Sequence, residues 1–221
     1  MCPASLQAAR WQTPLTLHSE HCTPLAMRAA TRKMPKHTQA LLSLLSGREQ
    51  EPLRICEIGV FAGLNAYWLA KMLPQASLLL IDPYLACGNP ALHGKLGLLN
   101  QTEFDGTLLT AVGALREFGA RIQWLFCDDM SANGKLPPRL VFDFVFLDHL
   151  HDAATVQRSL PVWWDRLWSK GILAFHDYDG KLDRQGVWGV KQAVDAFAAE
   201  RGLPVTVGTR GSLVASLKKQ Q

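Results

Sequence analysis

The sequence predicts an α/β fold: a doubly wound, mostly parallel sheet that finishes in an antiparallel hairpin. Three observations carry this. Short β-rich apolar runs alternate with longer runs of helical spacing, the pattern of parallel strands joined by crossover helices. Three of the short runs end on a carboxylate, "LLLID" at Asp82, "LFCDD" at Asp128 and "FVFLD" at Asp148. The stretch "PVTVGTRGSLVASLK" (204–218) reads as two strands around a tight turn at "TRGS", too tight for a crossover, so the two must pair antiparallel.

Taken in order, residues 1–34 have two Thr-Pro steps and no clear period, and are expected to be a flexible arm or lid ahead of one domain, 35–221. "KHTQALLSLLSG" (36–47) is spaced as a helix with a Gly stop. "LRICEIGV" (53–60) is the first strand, and "NAYWLAKMLP" (65–74) a helix with Asn65 as N-cap and Pro74 after its end. "SLLLID" (77–82) is the second strand. Residues 85–102 are Gly/Pro-punctuated and read as a loop insertion. A helix over 103–119, strands over 121–126 and 142–148, and a helix over 153–171 follow, with Pro161 marking a kink or a new helix start. "GILAFHD" (171–177) is the fifth strand, and "VKQAVDAFAAERG" (190–202) a helix ending on Gly. Trp163, Trp164 and Trp168 are expected in the core.

Composition narrows the class. The chain has 221 residues, 48% hydrophobic and 19% charged, enough for one sizeable core and unlike a disordered chain. The net charge of +4 is spread apart from "RAATRKMPK" (28–36), so a solvated basic surface is favoured over nucleic-acid binding. The five cysteines, Cys2, Cys22, Cys56, Cys87 and Cys127, form no Cys-x-x-Cys pair, which argues for a reducing compartment and against a disulfide scaffold or zinc knuckle. No apolar run approaches the ~20 residues of a membrane span. The first twenty residues lack the apolar centre of a secretory signal, although their lack of acid before Glu20 is also compatible with an organelle transit segment. A cytoplasmic location is expected.

The strand-to-helix turn "EIGVFAG" (57–63) is the first functional signal. Gly59 and Gly63 permit a sharp turn and close approach of a ligand. The dinucleotide fingerprint Gly-x-Gly-x-x-Gly fails here, because Phe61 stands at its second glycine and would obstruct a pyrophosphate. A ligand without phosphates suits the turn better. Asp82 ends the second strand where a carboxylate can accept both ribose hydroxyls, and Asp128 ends the third where one could receive an adenine amino group. Each acid alone could equally be a helix N-cap.

Glu57-x-Gly59-x-x-x-Gly63, Asp82 and the terminal hairpin resemble the class I S-adenosylmethionine-dependent methyltransferases over roughly residues 50–218. The resemblance implies a Rossmann-like, seven-stranded sheet and S-adenosyl-L-methionine as cofactor. The expected cofactor-binding set is Glu57, Gly59, Gly63, Asn65, Asp82, Asp128 and His149.

The stretch "DFVFLDHLHD" (143–152) ends the fourth strand, and "AFHDYDG" (174–180) ends the fifth. Parallel neighbours lie ~4.8 Å apart. Asp148, His176 and Asp177 could therefore converge on one divalent cation, Mg²⁺ if oxygen ligands dominate, or Mn²⁺, Fe²⁺ or Zn²⁺ if the histidine takes part. The same residues could instead only order backbone amides. An imidazole, with a reference pKa of ~6.5, can take a proton near neutrality, which makes His151 a candidate base; its alternative is a helix-start residue bonded to backbone.

"VFLDHLHD" is similar to the corresponding stretch of metal-dependent O-methyltransferases of the catechol O-methyltransferase type. That resemblance makes Asp148 the first metal ligand, sets His176 and Asp177 where that family has an Asp-Asn pair, puts His151 at the base position and turns His149 to the cofactor. A longer match, Asp148-x-x-His151, Trp163-Trp164, "KGILAFHDY" and "GVKQAVDAF", resembles the small methyltransferases related to antibiotic-sugar O-methyltransferases and cephalosporin-hydroxylase-type proteins. Together they imply methylation of a hydroxyl on a small molecule, of sugar or natural-product type. The rivals are methylation of a nucleic acid or protein, and a non-catalytic cofactor-binding role. The oligomeric state stays open, a homodimer included.

Overall fold

The computed structural model describes residues 33–86, 100–209 and 211–220. The expected arm, apart from its last two residues, and most of the 85–102 insertion lie outside them. The elements are α1 (Lys36–Leu44), β1 (Arg54–Ile58), α2 (Leu64–Met72), β2 (Ser77–Ile81), α3 (Gln101–Leu115), β3 (Ile122–Leu125), α4 (Asp129–Lys135), β4 (Phe142–Leu147), α5 (Ala153–Asp165), β5 (Leu167–Phe175), α6 (Lys181–Arg184), α7 (Val190–Glu200), β6 (Thr206–Val207) and β7 (Ala215–Lys218).

They form a seven-stranded sheet in the order β3-β2-β1-β4-β5-β7-β6. The first five strands are parallel, and β7 runs antiparallel between β5 and β6. The strand order reverses between β1 and β4, where ligands of open α/β sheets bind at the carboxyl ends. Alternation along the strands divides the core in two. Ile55, Leu78, Leu80, Phe144 and Phe146 pack against α1, α2 and α3 on one face. Cys56, Ile58, Leu79, Val145 and Leu147 pack against α4, α5 and α7 on the other. Among the described residues no helix is long and apolar enough to cross a membrane.

Several expectations shift, each for a local reason. Asn65 does not cap α2; Gly63, at φ 73°, is the N-cap residue, and the Asn65 side chain is buried with Thr38 Oγ1 donating to its Oδ1. The third helix begins at Gln101 rather than 103, because Asn100 and Glu103 form a reciprocal capping box. A short helix unread in the sequence, α4, follows β3. The fourth long helix stops at Asp165 instead of 171 and runs through Pro161 without a break. Leu167–Ser169 are strand: Phe142 N donates to Arg166 O, and Phe142 pairs with Leu167 before a bulge at Lys170 and Gly171 restores pairing at Ile172. Cross-strand bonding thus overrides helical composition. It also turns Trp168 out to solvent under Arg54, whereas Trp163 is wholly buried and Trp164 partly so.

Trp163 fills the α5 side of the core and donates its indole N–H to buried Asp129. Truncating it leaves a large cavity and a weakened buried carboxylate network. Trp163→Ala is expected to lower unfolding free energy by about 4 kcal/mol, read from denaturant melts; an unchanged midpoint would contradict this packing.

Candidate functional site

The β1–α2 turn is built around two constraints. Gly59 has φ 86°, and a Cβ on it would sit 2.0 Å from Asp148 O and 2.9 Å from His149 N. Only glycine lets the β1 turn and the β4 turn touch. The adjoining residues are held by Asp82. Its Oδ2 accepts from Val60 N and Phe61 N, both at 2.9 Å, and its Oδ1 accepts from Tyr84 N at 2.8 Å. Tyr84 closes the ring by donating its hydroxyl to Phe61 O at 2.8 Å. Phe61 sits at φ 48° and is partly exposed. The amides that a phosphate-binding turn would aim at its ligand are here spent on a protein carboxylate. The turn is therefore unsuited to a dinucleotide pyrophosphate, as Phe61 suggested.

Glu57 stands next to last in β1, before this turn. It is fully buried, and neither carboxyl oxygen has a hydrogen-bond partner among the described residues. Burial, and then the charge of Asp148, push its pKa well above the ordinary carboxylate value. A carboxyl buried this deeply ionises only beside a cationic group. The amino acid ammonium of S-adenosyl-L-methionine is such a group, so this donor set fits that cofactor.

The strand-four and strand-five ends converge as expected. Ligand-type atoms of Asp148, His151, His176 and Asp177 all lie within 4.8 Å of one another. His176 Nδ1 is 3.2 Å from Asp148 Oδ1 and 3.1 Å from Asp177 Oδ2. His151 Nε2 is 3.2 Å from Asp177 Oδ2 and 3.6 Å from Asp148 Oδ1. Both His151 ring nitrogens are buried without a hydrogen bond among the described residues. Two imidazoles and two carboxylates suit a borderline cation such as Mn²⁺, Fe²⁺ or Zn²⁺ better than Mg²⁺. Asp177 takes up φ 57°, which reverses the chain and turns its carboxylate back toward β4.

Electrostatics binds the cluster together. Burial pulls the His176 pKa down, but Asp148 and Asp177 more than offset it and raise it to about 10. Burial pushes Asp148 up, and the neighbouring imidazoles outweigh that, holding it far below the usual carboxylate range.

The other expected residues are placed differently. His149 turns into a buried network: its Nε2 is 2.9 Å from Ser159 Oγ, and Ser159 Oγ donates to Asp129 Oδ2 at 2.6 Å. Burial lowers the His149 pKa, so this ring is neutral. Asp128 N-caps α4, accepting from Ser131 N at 2.9 Å and Ser131 Oγ at 2.6 Å. Two groups at the cluster gave no sequence signal. His37 of α1 meets the His176 ring edge-on at 4.7 Å between centroids. Trp188 stacks on His151 at 4.4 Å. Trp188 is carried there because Gly189 lies where a Cβ would come 2.4 Å from the Cβ of Ala153. Neither α1 packing nor this loop is visible as a motif.

The fold and this turn are those of a methyltransferase domain. The family model described as a methyltransferase domain matches residues 56–178, more than half of the chain, and the chain belongs to that family. No curated protein matches. Among solved structures, a provisional O-methyltransferase from Klebsiella pneumoniae aligns at 19% identity over 94% of this chain and 92% of its own, with a TM-score of 0.60. The O-methyltransferase TomG from Streptomyces achromogenes, involved in tomaymycin synthesis and solved with S-adenosylmethionine, aligns at 19% identity over 93% and 92%, TM-score 0.57. The N-methyltransferase NodS from Bradyrhizobium japonicum aligns at 18% over 90% and 98%, TM-score 0.52. At these identities the likeness is one of fold.

Two predictions follow from this geometry. Gly59→Ala forces a positive-φ alanine against the Asp148 carbonyl and is expected to cost several kcal/mol, ~3 or more, in denaturant melts. In protein treated with chelator, the raised His176 pKa stabilises fully below its ordinary value of 6.5, and the contribution is lost as pH rises through about 10. The His176 ring resonance should titrate near pH 10 by NMR, and in Asp148→Asn the midpoint should fall by more than about one unit.

Proposed function

We propose that this chain transfers a methyl group from S-adenosyl-L-methionine to a hydroxyl of a small molecule of sugar or natural-product type, assisted by a divalent cation, in the cytoplasm. What supports it most is the convergence of Asp148, His151, His176 and Asp177 beside the Gly59 turn. The O-methyltransferase relatives support a hydroxyl acceptor, while the NodS relative means that the fold alone is neutral on the acceptor atom.

When bound, the cofactor supplies an electrophilic methyl for in-line displacement and the cation lowers the pKa of an acceptor hydroxyl. Asp148 and Asp177 would hold the cation together with His176, whose ring gives up its proton when the metal replaces it between the two carboxylates. His151 Nε2, with no hydrogen-bond partner among the described residues, takes the hydroxyl proton, and Trp188 stacked on its ring keeps it in place. Glu57 holds the amino end of the cofactor, and Asp82 its ribose. Asp128 receives the adenine amino group at a lone pair that the Ser131 bonds leave over, and His149 contacts the cofactor.

A second reading rests on one distance. His151 Nε2 is as near to Asp177 as His176 is, so His151 can be a fourth cation ligand instead of the base. The two separate cleanly. The test is release of S-adenosylhomocysteine with a panel of hydroxylated acceptors, with Mn²⁺, Zn²⁺ or Mg²⁺ and after chelation. Turnover is expected with a divalent cation, and Asp148→Ala should lower kcat/KM about 100-fold or more. No product with any acceptor, although cofactor binds, would favour a non-catalytic role. In His151→Ala, unchanged cation affinity with lost kcat identifies the base. A cation affinity about tenfold weaker identifies the ligand.

A further inference from the structure

Asp82 carries two tasks, and its lone pairs limit the second. A carboxylate offers about four acceptor positions. Val60 N and Phe61 N occupy both positions on Oδ2, and Tyr84 N occupies one on Oδ1. We infer that Asp82 recognises the cofactor ribose through a single hydroxyl, received at the remaining position on Oδ1, rather than clasping both. This rests on the proposed S-adenosyl-L-methionine reading and makes it more specific.

The turn is not free to release those bonds. Phe61 is held in the left-handed region, an unfavourable conformation for a residue with a side chain. Its amide is bound by Asp82 and its carbonyl by the Tyr84 hydroxyl. Tyr84 is buried, so its hydroxyl has no water to turn to. Swinging Oδ2 toward a second hydroxyl would orphan two amides and loosen a residue already in a strained conformation. The glycine that would relax this turn is replaced by Phe61, and the Asp82 clamp is what compensates.

The test uses the wild-type protein and calorimetry with S-adenosylhomocysteine and its 2′-deoxy and 3′-deoxy analogues. One analogue is expected to bind within about threefold of the parent, and the other about tenfold or more weakly, because only one hydroxyl meets a charged acceptor. Comparable losses for both analogues would overturn the inference in favour of a two-hydroxyl clasp. No loss for either would overturn it by taking Asp82 out of ribose recognition. Both results leave the cofactor reading standing, since the parent still binds. Failure of the parent itself would defeat the cofactor reading and this inference together. As a second readout, Asp82→Asn should lower the melting temperature without any ligand and abolish the discrimination between the two analogues.

Discussion

The site depends on one contact: the α-carbon of Gly59 against the peptide joining Asp148 to His149. Strands β1 and β4 are neighbours in the sheet, with Ile58 paired to Leu147. The chain must leave both strand ends in the same small volume. A Cβ on residue 59 would overlap the Asp148 carbonyl, so the approach exists only because that residue is glycine. The carbonyl fixes where the Asp148 side chain begins. It thereby couples the cofactor turn of the first half of the sheet to the polar cluster of the second.

Around this contact the protein buries charge in a graded way. Glu57 lies deepest, without a partner among the described residues, and burial favours its neutral form. Asp148 lies between two imidazoles and stays ionised. His176 answers two carboxylates and stays protonated well above neutrality. Such a cluster is costly to bury unless its members satisfy one another or a bound ion. His37 and Trp188 pack against its two imidazoles, one from α1 and one from the loop before α7. The side chains of Asp148, His151, His176 and Asp177 keep 12–21% exposure, so the cluster is mostly covered by elements far apart in sequence and still reachable from solvent.

Much of this was legible along the chain. Asp82, Asp148, His176 and Asp177 stand at strand ends, and strand ends are marked by where an apolar run stops. The hairpin was readable because seven residues separate its strands' paired ends, too few for a crossover. The failures have local causes. Leu167–Ser169 looked helical because their sheet bonds come from β4, about 25 residues earlier. α4 escaped because seven residues, about two turns, carry almost no periodic signal. Asn65 looked like a cap, while the turn had already used left-handed Gly63 for that position.

The sequence by itself determined the order of strands and helices, the acids that close the strands, and the glycine turn with its misplaced phenylalanine. Those are properties of neighbours along the chain, and local chemistry suffices to read them. Only the tertiary structure decided how each acid is used. Asp82 is committed to loop amides, Asp128 to a helix cap, and His149 to Ser159 and Asp129, because a polar side chain bonds to whatever donor folding brings within 3 Å. Folding also set His151 3.2 Å from Asp177 and packed His37 and Trp188 on the cluster's rings, contacts between separate elements that no spacing in the chain encodes.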